Sequence, residues 1–152
     1  MTVNVFGLKL LPESARKASL IRKACLATLS AEGIATDGEL NVVFVDRKRM
    51  LELNKKFLDH THDTDVIAFE YKKENPPDGR GPSGEAPFGD IYISASQARA
   101  QAKEVGHSVL KEAMTLAIHG TLHLIGYTDG TSRQKAAMFR KQDSLLAQIT
   151  KR

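Results

Sequence analysis

Residues 119–129 read HGTLHLIGYTD, and the reading of the whole chain turns on them. His119 and His123 stand four residues apart in a stretch of helical periodicity, so both imidazoles project from one helix face, one turn apart. Two histidines at i and i+4 are a standard way for a helix to offer two nitrogen ligands to a metal. Gly126 lets the chain leave that helix sharply, and Asp129, three residues further, is near enough to swing back as a third ligand. Two imidazoles and one carboxylate, with a fourth position for water, have the make-up of a catalytic zinc centre. The neighbours Leu116, Ile118, Leu122, Leu124 and Ile125 are apolar, a poor setting for histidines with no partners. The layout is that of a metzincin-like metal helix. A zincin carries its general base, a glutamate, directly after the first histidine; Gly120 stands there, so peptidase activity is not expected.

Outward from this motif, Ser108 is placed to cap a helix running from Val109 to Gly126, and Ser94 or Ser96 to cap one that ends at Gly106. Thr131 onward reads as a last amphipathic helix. Upstream, the pattern predicts strands over 2–11, 40–45, 63–71 and 88–94. A helix opened by Pro12 and closed by Gly33 joins the first two strands, and a second, capped by Asp46, runs through Phe57. Residues 72–87, KKENPPDGRGPSGEAP, read as a surface loop and lack the Lys-Ser or Lys-Thr of a phosphate-binding loop. Strands and helices partly segregate, and only the early units suit parallel crossovers. The expected fold is therefore α+β, a small mixed sheet covered by helices in a single domain spanning 1–152.

Composition bounds the setting. The chain has 152 residues, 41% hydrophobic and 26% charged, which suits a folded globular protein rather than a disordered one. One cysteine, Cys25, excludes an intrachain disulfide and the thiolate-rich structural zinc sites. No apolar run is long enough to span a bilayer, and the N-terminus lacks a signal-peptide pattern. A cytoplasmic protein with no membrane or disulfide-linked partner is the expectation. The net charge of +4 permits an anionic partner such as RNA, whereas 6% aromatic content without Trp argues against an extended base-stacking platform.

These stretches resemble a known family. HGTLHLIGYTD is similar to the signature H-G-x-L-H-L-x-G-Y-D-H of the YbeY family, bacterial endoribonucleases and rRNA maturation factors. LNKKF followed by TDVIAF, then FGDIYIS, AMTLAIHG and Met138, match further family positions in the same order along the chain. The resemblance implies a compact α+β fold with one Zn²⁺ per chain, held by His119, His123 and Asp129. It also implies that metal-held water hydrolyses RNA phosphodiesters, with rRNA and the small ribosomal subunit as partners.

Two departures follow. The family's third histidine falls on Asp129, and its aspartate on Thr128; either Asp129 is the ligand or a slipped aspartate leaves the third position lost. An Asp ligand leaves less residual charge on zinc than a third histidine, so the bound water should be less acidic. The family's arginine after L-N-x-x-[YF], a group suited to clamping phosphate, is Leu58. His60, His62, Lys55 and Lys56 either compensate for it or form a solvated loop and helix face. Asp65 reads as a turn or site residue, Asp90 as a residue orienting a ligand histidine, His107 as surface and Cys25 as core.

Overall fold

A computed structural model describes residues 1–34, 38–58, 65–70 and 88–150, with the side chains of residues 57 and 58 excepted. His60, His62, Thr64 and the loop read over 72–87 lie outside the described residues.

Four strands, β1 (Thr2–Phe6), β2 (Glu39–Val45), β3 (Val66–Glu70) and β4 (Gly89–Ser94), form one sheet in the order β1-β2-β4-β3. The first two junctions are parallel and β3 runs antiparallel to β4, giving the mixed sheet expected of an α+β chain. Helix α1 (Ala18–Ala31) makes the crossover between β1 and β2. After β2 comes α2 (Arg47–Leu53); after β4 come α3 (Ala95–Val105), α4 (Val109–Leu124) and α5 (Ser132–Thr150).

Three boundaries differ from the sequence reading, each for a local reason. The first strand stops at Phe6 because Gly7 adopts a left-handed φ of 80°, and a Cβ there would lie 2.1 Å from the Phe44 carbonyl oxygen. A short 3₁₀ turn over Leu8–Leu10 follows. Pro12 opens a second 3₁₀ turn, Glu13–Ala15, and α1 proper begins at Ala18. Helix α2 ends at Leu53, and the chain continues to Leu58 as a widened π turn. The serine and aspartate caps are as read: Ser94, Ser108 and Asp46 accept from the backbone N–H of Gln97, Lys111 and Arg49.

Helix α4 is the central element. On one side Ala113, Leu116, Ala117 and Leu124 join the buried sheet residues Val3, Leu40, Val42, Phe44, Ile91 and Ile93. On the other, Met114, Ile118 and Leu122 pack with Met138, Leu145, Leu146 and Ile149 of α5 and Ala24 of α1. Ile118 and Leu122 are fully buried, each stabilising the fold by about 1.5–3 kcal/mol relative to exposure. The opposite sheet face carries a smaller cluster, Val45, Met50, Leu53 and Ile67, under α2. Among the described residues no helix is long and apolar enough to cross a membrane.

Gly120 sets how closely α4 approaches the sheet. A Cβ there would lie 2.6 Å from Ile91 Cγ2 and 3.0 Å from Val66 Cγ1. The position that bears the base in zincins therefore has no room for a side chain of any kind. Gly120→Ala is expected to destabilise the protein by about 1–3 kcal/mol through overpacking. Denaturant unfolding measures this, and an unchanged midpoint would show that the sheet yields freely.

Candidate metal centre

The C-terminal end of α4 is built to turn back on itself. Gly126, at φ 107°, donates to the His123 carbonyl at 3.1 Å, and Tyr127 donates to the Leu122 carbonyl at 3.0 Å. That pair of bonds is the Schellman termination, in which the residue at positive φ is best served by glycine. Four residues on, Thr131 and Gln134 cap α5 reciprocally, each side chain accepting from the other's backbone N–H at 3.1 Å. The short segment between these two fixed ends carries Asp129 back toward the histidines.

Three atoms converge there. His119 Nε2 and His123 Nε2 are 2.9 Å apart, and Asp129 Oδ2 lies 3.6 Å from each. The other ring nitrogens are engaged elsewhere. His123 Nδ1 donates to the Tyr127 carbonyl at 3.0 Å, and His119 Nδ1 donates to Oε1 of the buried Gln142 on α5. These two acceptors fix the tautomer with hydrogen on Nδ1, so both Nε2 lone pairs face each other and the carboxylate. Three acceptors so close, with no hydrogen among them, make a donor set suited to a cation.

The triangle fits one. Donors about 2.0–2.1 Å from a tetrahedral zinc ion stand about 3.3–3.4 Å from one another, between the 2.9 and 3.6 Å edges here. A triangle with these edges has a circumradius of about 2.0 Å, a metal–ligand bond length. Two nitrogens and a carboxylate oxygen suit zinc better than calcium or magnesium, which prefer oxygen alone. Among the described residues this is the group of three His, Cys, Asp or Glu side chains arranged to hold an ion.

Other expected positions fall differently. Asp90 is not the partner that orients His119 or His123, whose Nδ1 atoms meet Gln142 and Tyr127. Ile91 faces Gly120 of α4, so its strand neighbour Asp90 points to the opposite side of the sheet, where it accepts from Asn41 at 3.0 Å. Asp65 is a structural residue: its side chain accepts from Gln101 at 3.2 Å and its carbonyl from Ser94 at 2.9 Å. His107 is not plain surface, for its Nε2 lies 2.5 Å from Oε2 of Glu112, a buried carboxylate in the first turn of α4. Cys25 is core, and burial pushes its thiol up to about 11, leaving it protonated and inert.

Sequence reasoning missed Gln142 and Tyr127. Gln142 had one signal, a polar residue on the apolar stripe Met138, Leu145, Leu146, Ile149 of α5. Tyr127 acts twice. Its carbonyl holds His123, while its hydroxyl donates to Glu32 Oε1, which also lies 3.6 Å from Lys141 Nζ. The hydrogen bond to Glu32 raises the Tyr127 pKa above its ordinary value, so the phenol remains a donor and ties the ligand loop to the end of α1.

Fold and site together define a class: an α+β protein in which two histidines and an aspartate that could hold a metal ion converge at the end of the central helix. A family model described as Endoribonuclease YbeY matches residues 9–150. The Endoribonuclease YbeY of Elusimicrobium minutum is 38% identical over 149 residues, covering 98% of this chain and 100% of the relative. That of Moorella thermoacetica is 36% identical over 133 residues, covering 86% and 85%. The solution structure of TM1509 from Thermotoga maritima matches with a TM-score of 0.60 at 25% identity, over 97% of this chain and 89% of that one. The chain belongs to the YbeY endoribonuclease family.

Proposed function

We propose that the protein is a zinc-dependent endoribonuclease, with one zinc ion per chain, that hydrolyses phosphodiesters of single-stranded RNA during rRNA maturation. Its expected tasks are 3′-end processing of 16S rRNA and quality control of the small ribosomal subunit, in the cytoplasm. The observation that supports this reading most is the convergence of His119 Nε2, His123 Nε2 and Asp129 Oδ2, in a chain of this family.

His119, His123 and Asp129 are the residues that would hold the ion. Zinc bound there supplies Lewis acidity toward a phosphoryl oxygen and lowers the pKa of coordinated water. Gln142 and the Tyr127 carbonyl keep both rings in the ligating tautomer and orientation. Asp129 is the most open of the three, 44% exposed at its side chain against 18% and 28% for the histidines, so substrate reaches the site past the carboxylate. Gly120 offers no base, so a proton acceptor would come from elsewhere in the protein or from solvent at the site.

Leu58 favours a second reading, a ribosome-associated RNA-binding factor whose metal is structural. Leucine neither clamps a phosphate nor stabilises its growing negative charge. Single-turnover cleavage of single-stranded RNA by the zinc-loaded protein separates the two. Cleavage abolished by chelator and by His119→Ala is expected; RNA binding with no cleavage would support the binding factor. Leu58→Arg is expected to raise cleavage about tenfold, the worth of a charge-assisted clamp, without changing zinc content. Unchanged cleavage in that variant would show that another group already fills the arginine's role.

A further inference from the structure

Helix α5 has two anchored positions near the metal centre and one that is open. Lys141 faces α1, with its ammonium 3.6 Å from Glu32, and Gln142 faces α4, bonded to His119. Phe139 lies two residues before Lys141, about 200° around a helix of 3.6 residues per turn, and so occupies the flank away from α1. It is three residues before Gln142, hence a neighbour on the helix surface of the side chain that holds His119. Despite that place Phe139 is 47% exposed, while Met138 beside it is buried. One turn earlier on the same flank, Lys135 Nζ stands 5.9 Å from the Phe139 ring centroid. That distance is at the outer limit of a cation–π contact, so it leaves the ring open to another partner.

We propose that Phe139 and Lys135 form a nucleotide subsite beside the metal centre, in which the phenyl ring stacks on a base and the ammonium pairs with a phosphate. An exposed ring and a cation one helical turn apart match the flat π-system and anion that every nucleotide presents. A phenyl ring stacks on any base, so the subsite selects unstacked, single-stranded RNA without reading its sequence. A duplex, with its bases paired and stacked, offers no free face to the ring. The inference rests on the nuclease reading above and gives it a physical source of strand preference.

The test compares two probes of about twelve nucleotides, oligoadenylate and an abasic ribose-phosphate chain of equal charge. Binding of each to the zinc-loaded protein, to Phe139→Leu and to Phe139→Trp is measured at one salt concentration. Phe139→Leu is expected to bind oligoadenylate about tenfold more weakly, to bind the abasic chain as the parent does, and to keep its zinc and melting midpoint. Phe139→Trp is expected to restore oligoadenylate binding. Oligoadenylate bound equally by the parent and Phe139→Leu would overturn the subsite and leave the nuclease reading standing. A parent protein that binds and cleaves no RNA would overturn both.

Discussion

Stripping the metal with a strong chelator is expected to lower the melting midpoint by about 5–10 °C. An ion bound only by the folded protein at a hundredfold excess over its Kd stabilises that state by about 2.7 kcal/mol. In a chain of this length each kcal/mol is worth about 2–4 °C. The effect is concentrated because the site closes a loop: His119 and His123 end α4, and Asp129 lies in the segment that leads to α5. Without a cation the two Nε2 lone pairs, 2.9 Å apart, repel each other and the carboxylate, so the loop loses its inward tether as well as its ligand. Melting of a preparation shown to start with one zinc per chain, with and without chelator, measures this. A midpoint that stays put after complete zinc removal would mean that the capping bonds of Gly126, Tyr127 and Thr131 hold the segment alone.

What the sequence made legible, and what it hid, follows from the range of the interactions. Helix caps act within three residues, and Ser94, Ser108 and Asp46 could be read directly. The i, i+4 histidines and the glycine-ended helix are equally local, so the motif placed its own side chains on one face. Asp129 needed only a tight turn to reach them, and the structure brings its carboxylate to 3.6 Å from both. The partners of the histidines lie further off. Gln142 reaches His119 across 23 residues, and Glu32 meets Tyr127 across 95, through packing of α5 and α1 on α4 that no spacing rule encodes. Asp90 failed as a histidine partner because alternation along a strand, which is legible, does not say which face the metal helix covers. His107 was misjudged because its carboxylate, Glu112, is a helix N-terminal residue of the kind usually left in water.

The same locality makes Asp129 the sharpest point of the account. It is the one donor of the three outside α4, it falls where the signature H-G-x-L-H-L-x-G-Y-D-H that the chain resembles has histidine, and it supplies the only charge among the three donors. Removing it leaves two neutral imidazoles, fewer than the three protein ligands a catalytic zinc site uses. Asp129→Ala is therefore expected to weaken zinc binding at least a hundredfold, while Asp129→His, which restores a third ligand, is expected to retain the ion. Helical content should be preserved in both, because Asp129 makes no part of the core. Zinc per chain after exhaustive dialysis, with affinity from competition against a chelator, is the deciding measurement. About one zinc in the parent and close to none in Asp129→Ala is the expected result; one tightly held zinc in Asp129→Ala would rule out Asp129 as the third ligand.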